Sequence, residues 1–217
     1  KDISGPDGVP DGVIDDYDKT NIGSPMPKFT FGWTNTFRYK NFDLSVFING
    51  SYGNKVYNYL SMKLTHMNSP WTNQLNAVSG RAQLVPINPN KVYEDGTMWY
   101  NDVSNVMVAN PGASIPRATI NDPNDNDRIS DRYIEDGSYI RLKNISLGYT
   151  FPKKTIDKLG LSNLRIYANI QNLLTITGYD GYDPEIGAST SSVNVYGLDN
   201  GRYPSPTVYS FGLNVSF

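Results

Sequence analysis

The chain has 217 residues, 38% of them hydrophobic and only 18% charged, with a net charge of −2 at pH 7; that is enough chain for a sizeable core, but less charge than the roughly 25% of an ordinary soluble domain. Sixteen Tyr, eight Phe and three Trp bring aromatics to 12%, a mixture that favours strands and disfavours a helical bundle. The absence of Cys removes disulfides, thiolate metal sites and thiol nucleophiles, and no basic stripe of the kind nucleic acid requires occurs anywhere.

Residues 1–27 are rich in Asp and Gly. With Asp7 as ligand 1 of an EF-hand-like loop, Asp11 falls at 5, Gly12 at 6, the Val13 carbonyl at 7, Asp15 at 9 and Asp18 at 12, which makes Ca2+ a candidate ligand there. Position 3 is Val9, which offers no side-chain oxygen, and Asp18 is shorter than the usual bidentate Glu. The competing expectation is an Asx-rich loop held by side chain to backbone bonds.

Period-2 alternation then begins. From Lys28 to Lys40 one phase reads Phe29, Phe31, Trp33, Asn35, Phe37, Tyr39, against Thr, Gly, Arg and Lys on the other. After a two-residue turn at Lys40 and Asn41, Phe42, Leu44, Val46 and Ile48 form the apolar phase, broken only by Phe47, and a tight hairpin is expected.

A long segment from about 60 to 136 follows. Its aromatics Trp71, Tyr93, Trp99 and Tyr100 are candidates to stack on sugar faces or pack against a capping partner, or else to fold the loop on itself. His66, the only His, has no Ser or Cys arranged as a partner and is expected to be an ordinary exposed loop residue. The run Asn121 to Asp127 has turn chemistry and is expected to be solvated.

The third strand, Ser138 to Phe151, changes phase between Ile140 and Leu142 on one side and Ile145, Leu147, Tyr149 and Phe151 on the other, so a bulge near Lys143 or Asn144 is required. A dozen residues, Pro152 to Asn163, lead to the fourth, in which Leu164, Ile166, Ala168 and Ile170 oppose Arg165, Tyr167, Asn169 and Gln171. A second long segment, about 177 to 206, precedes the last strand, Tyr209 to Phe217. Acid pairs such as Glu94 with Asp95, or Asp183 with Glu185, have the residue types of a glycosidase; sequence adjacency sets no such geometry, and no enzyme activity is expected.

Short turns on one side and long loops on the other are the asymmetry of outer-membrane barrels. Aromatics near strand ends fit a membrane interface. No apolar run approaches the roughly 18 residues of a spanning helix, so any crossing is by strands. Five strands leave an open edge that lipid does not tolerate. The expected fold is therefore all-β, an antiparallel up-and-down transmembrane β-barrel of which these are the C-terminal five strands, with Phe217 at the true end and the missing part upstream; the start at Lys1, without Met or an apolar leader, agrees with a piece of a longer chain. Residues 1–27 become an extracellular Asp/Gly-rich loop, 28–217 the strands with long extracellular loops at about 60–136 and 177–206, and Arg165, Asn169 and Gln171 lumen-facing. The alternative is a secreted soluble β-sandwich that binds carbohydrate.

Three stretches carry a family resemblance: Asn172 to Glu185 (NLLTITGYDGYDPE), Gly137 to Tyr149 (GSYIRLKNISLGY), and Asp11 to Asp15 with Ile22 to Phe29 and Tyr39 to Leu44. Together, and in their order along the chain, they resemble the end of SusC/RagA-type TonB-dependent outer-membrane transporters. The resemblance implies a plugged barrel of roughly 22 strands in the outer membrane of a Gram-negative, Bacteroidetes-like cell. It implies import of glycans or peptides with energy from the TonB complex, acting through a part of the protein absent from these residues. It also implies a SusD-like surface lipoprotein as partner, with membrane lipid around the wall.

Overall fold

The structure, a computed structural model, describes residues 2–122, 124–186 and 195–217. Its strands are β1 (Phe29–Tyr39), β2 (Phe42–Tyr52), β3 (Lys55–Asn58), β4 (Leu84–Pro86), β5 (Val106–Val108), β6 (Ile134–Asp136), β7 (Tyr139–Thr150), β8 (Asn163–Thr177), β9 (Leu198–Asp199) and β10 (Val208–Ser216); α1 is Tyr59–Thr65 and α2 Lys153–Ile156. The five long strands form one antiparallel sheet in the order β1-β2-β7-β8-β10. These are the five that the alternation predicts, each displaced by at most a few residues at its ends.

Hydrogen-bond register decides which side chains share a face. Trp33 lies opposite Ile48 and Phe37 opposite Leu44. Leu44 lies opposite Leu147, and Leu147 opposite Ala168, which is in turn opposite Phe211. The apolar rows of all five strands thus fuse into one face, interrupted by Asn35 opposite Val46, and Thr, Ser, Asn, Gln, Asp and Arg, with Tyr167, dominate the other. Phe47 is an exception on the polar side, where its ring lies over Gly32 of the neighbouring strand.

The phase change in β7 is absorbed where the sequence demanded it. Against β2 the register slips between Phe47 and Ile48, leaving Lys143 as the extra residue. Against β8 the slip falls between Leu142 and Asn144, and Asn172 takes a φ of 52° to accommodate it. Without these paired irregularities Ile140 and Leu142 would turn to the polar side.

The connections sort by end. Lys40, at a φ of 53°, turns β1 into β2, and α2 with a following 3-10 turn (Asp157–Leu159) joins β7 to β8 at the same end. Everything long lies at the other end and is folded: β3 pairs with β6 and β9 in a small sheet, and β4 pairs with β5. The segments expected as loops at 60–136 and 177–206 therefore carry their own strands and the helix α1; residues 187–194 of the second lie outside the described residues.

Among the described residues a conventional core exists only in this cap and under α2. Val56, Met62, Ile115, Tyr133 and Tyr179 are buried among the folded loops, and Ile156 under the short connection. On the wall, by contrast, Trp33 is 58% and Phe211 83% exposed. Among the described residues no second sheet covers the apolar face, which removes the layer a β-sandwich needs. The face ends in aromatic clusters. Phe42, Tyr149 and Phe151 meet near the short turns, with ring centroids 4.7 and 5.0 Å apart. Phe29, Phe31 and Tyr52 meet near the loops, at 6.5 and 5.4 Å.

A face solvated by hydrocarbon punishes charge, while its opposite face does not. Trp33→Arg, in mid-strand on the apolar side, is expected to destabilise the wall in lipid by ~2–4 kcal/mol, and its neighbour Thr34→Arg by far less. Denaturant unfolding in bilayers measures both, and equal effects would contradict the assignment of faces.

Candidate functional site

The polar face is cross-braced. Arg165 on β8 reaches over β7 to Asp43 on β2, donating from Nε at 3.2 Å and from Nη2 at 2.6 Å. Gly148 lies beneath the guanidinium, and any Cβ there would collide with it. The neighbouring Gly212 is covered in the same way by the Tyr167 ring. Asn169 lies in register with Ser146 and Ser210, and Gln171 with Asn144 and Val208. All three residues expected to face a lumen, Arg165, Asn169 and Gln171, thus sit on the polar side, though only Arg165 spans three strands.

The strongest polar contact was not expected as such. Arg141 on β7, only 3% exposed, donates from Nε to Thr175 Oγ1 at 2.8 Å, from Nη1 to Glu185 Oε2 at 2.6 Å and from Nη2 to Asp183 Oδ1 at 2.5 Å. The bulge residue Lys143 adds its Nζ to the same Glu185 oxygen at 2.9 Å. Asp183, 7% exposed, also accepts from the backbone N–H of Ser205 at 3.0 Å and of Glu185 at 2.9 Å. The Asp183-Pro184-Glu185 run therefore pins the loop after β8 onto the polar face. These carboxylates are spent on one guanidinium, one ammonium and backbone, an anchor and not an acid and base poised around a glycosidic bond. The signal for it in the sequence is an Arg in the polar phase of one strand and a DPE run beyond the next.

Charge balance explains the anchor's pH behaviour. Burial pushes the Asp183 carboxyl up, but the Ser205 and Glu185 N–H groups and the Arg141 guanidinium outweigh it and hold the pKa below the ordinary carboxylate value.

The cap above is tied together by further buried polar bonds. Tyr179 donates to Asp199 at 2.5 Å, and burial together with this carboxylate pushes the phenol well up. Asn58 caps α1 through the Ser61 N–H at 2.8 Å and donates to Glu135 at 2.8 Å. His66, expected to be exposed, is buried instead: Nε2 sits 2.9 Å from Asp122 Oδ2, and Nδ1 3.9 Å from Asp127 Oδ2. Asp122, expected to be solvated, is likewise buried and accepts both the backbone and the side-chain N–H of Asn126. Compact folding of the long loop, invisible in local composition, is the cause in both cases. His66, Asp122 and Asp127 are the one gathered set of three potential metal ligands among the described residues. Each carboxylate addresses a different ring nitrogen, however, whereas one ion takes one nitrogen of an imidazole.

The Asp-rich start uses its carboxylates on its own backbone. Asp18 accepts from Ile3, Ser4 and Asp15 N–H groups at 2.6, 3.1 and 2.9 Å. Asp15 accepts from Tyr17 at 2.8 Å and Asp11 from Val13 at 2.9 Å, and Asp7 lies exposed. The loop bonds hold Asp18 below the ordinary carboxylate pKa.

The aromatic candidates split into two places. Tyr93 is structural: its hydroxyl donates to Asp102 at 2.8 Å and accepts from Asn105 at 3.0 Å. Lys91, Ser104 and Tyr93 around Asp102 hold its pKa far down. Trp99 and Tyr100 meet edge to face at 5.7 Å, Tyr100 being exposed, and Trp71 stands apart at 92% exposure.

Removing the guanidinium should free the loop after β8. Arg141→Met leaves Asp183 without a cation and Glu185 with Lys143 alone, and a loss of local stability of ~3 kcal/mol is expected, read as lost amide protection at Glu185 and Ser205. Because the folded pKa of Asp183 lies below its unfolded value near ~3.9, its contribution is in place above that value and disappears as pH falls through the lowered one. Protection factors at these amides should hold from neutral to mildly acidic pH and drop only below about pH 4; a drop starting near pH 6 would contradict the anchor.

No protein-family model matches the chain. It is 35% identical over 211 residues to TonB-dependent receptor P3 of Formosa agariphila, an alignment covering 95% of this chain and 18% of that protein. Over 209 residues it is 29% identical to TonB-dependent receptor SusC of Bacteroides thetaiotaomicron, covering 95% and 17%. A solved structure of the RagAB peptide importer in the open-open state superposes with a TM-score of 0.66 at 20% identity, covering 97% of this chain and 19% of the other. The chain thus spans less than a fifth of the length of these relatives.

Proposed function

Because this chain is homologous to one segment of the TonB-dependent receptors, SusC among them, we propose that it is part of the wall and extracellular cap of an outer-membrane importer. The importer takes up nutrients, glycans or oligopeptides, with TonB-derived energy applied to parts outside these 217 residues. A SusD-like lipoprotein closes the mouth on the side of the folded loops. The cell is Gram-negative and Bacteroidetes-like.

The observation that carries this reading is the apolar face set back to back with a polar face onto which a loop is bolted by Arg141. Hydrocarbon suits the first and a watery lumen the second. An import pathway needs a wall that does not yield while cargo passes, and the Arg141 anchor and the Arg165–Asp43 brace give the polar side that stiffness. The segment performs no chemical step of its own. Trp71 and Tyr100, exposed on the cap, are the residues set to meet cargo or the lipoprotein, and Trp99 backs Tyr100. Any Ca2+ at Asp7, Asp11, Asp15 and Asp18 has a stabilising part and would compete with the backbone for the same oxygens.

The complete receptor should stay with membranes through carbonate washing and be released by detergent. Its deletion should abolish growth on at least one glycan or oligopeptide in a panel of sole nutrients. Release by carbonate, or undiminished growth on every member, would contradict import. Trp71→Ala should weaken capture of the lipoprotein or cargo by about fivefold, the scale of a modest interface anchor, without altering the amount of folded barrel.

A further inference from the structure

The apolar face is not uniform. Near the short turns it holds a groove of about 560 Å³ lined by Phe42, Tyr149, Ile166, Ala168, Phe211 and Leu213, within the ~300–1,000 Å³ of small-ligand sites. The depression has a local cause. Ala168 is the small residue in a row where its register partners are Leu147 and Phe211, so the ring of Phe211 and the row Tyr149, Ile166, Leu213 stand above it as walls.

Charge collects at the same end. The two short connections contain Lys40, Lys153, Lys154 and Lys158 against Asp157 alone, in a chain whose net charge is −2. The nearby Asp43 is already taken by Arg165. Lys40 places its Nζ over the Tyr39 ring, 5.3 Å from the centroid; Tyr39 is in register with Phe42, which touches Tyr149 at the mouth of the groove. Tyr149 in turn stacks edgewise on Phe151, and exposed Lys153 and Lys154 follow after Pro152. An apolar slot thus shares the short-turn end of the sheet with a set of ammonium groups free of carboxylate partners among the described residues.

From this complementarity we propose that the groove is a binding site for an anionic glycerophospholipid of the leaflet at the short-turn end. One acyl chain lies over Ala168, and the headgroup phosphate is met by Lys40, Lys153 and Lys154. A zwitterionic lipid fills the slot equally well but brings its own cation to the lysines, so the selection is electrostatic. The site rests on the reading of this face as membrane-exposed.

The test is lipid retention by the complete receptor, purified in mild detergent and titrated with dioleoyl-phosphatidylglycerol or dioleoyl-phosphatidylcholine, with bound lipid counted by native mass spectrometry. Phosphatidylglycerol should be retained preferentially. The preference should fall roughly fivefold for each lysine removed in Lys40→Gln, Lys153→Gln and Lys154→Gln, and nearly vanish for wild type at ~1 M salt, where the Debye length is about 3 Å. Ala168→Phe should reduce retention of both lipids by filling the slot. Equal retention of the two lipids by the wild-type receptor, or a preference indifferent to salt, would overturn the proposal even if every variant failed to fold. A receptor that needs detergent yet shows no preference overturns the site alone; one released by carbonate and retaining neither lipid overturns the membrane reading beneath it.

Discussion

The interstrand hydrogen-bond ladder is the constraint on which the rest of the structure depends. Side chains alternate along each strand, so a slip of one residue between any two strands would send an apolar row to the polar side. The ladder runs in register from Phe37 through Leu44, Leu147 and Ala168 to Phe211, and where β7 carries one residue too many the bulge at Lys143 restores phase. That same irregularity places Lys143 beside Glu185. A device that keeps one face apolar therefore also supplies a cation to the anchor on the other.

Two kinds of cohesion coexist in the molecule. The wall is held by backbone pairing, and its large apolar side chains stand exposed on one face of the sheet. The cap is held as an ordinary small domain is, by a buried cluster around Val56, Met62, Tyr133 and Tyr179 with buried polar bonds satisfied in pairs. Arg141 is the junction between them: a wall residue whose guanidinium is completed only by acids from the cap.

Several features of the polar side make sense only as cross-strand arrangements. Gly148 and Gly212 look in isolation like weak points in strands, yet each is the floor beneath a long side chain from the next strand, Arg165 in one case and Tyr167 in the other. Phe47 looks like an error of patterning until its ring is placed over Gly32. The exchange of bulk between neighbouring strands lets a polar surface carry aromatics and guanidinium groups without crowding.

Alternation over nine or more residues determined, by itself, that there are five long strands, which side chains of each strand share a side, and where β7 must bulge, because a period-2 pattern is a local property that survives whatever the strand packs against; the lengths of the connections between the strands told which end has the short turns. The quoted stretches also carried the kinship with TonB-dependent receptors. Tertiary structure alone decided the rest. Arg141 and the Asp183–Glu185 run are separated by more than forty residues. The burial of His66 depends on Asp122, 56 residues away. Tyr93 serves the fold while Trp71 is left free. No local pattern encodes these outcomes, because each depends on loop closure that brings distant segments to one place, and composition records neither the partner nor the distance.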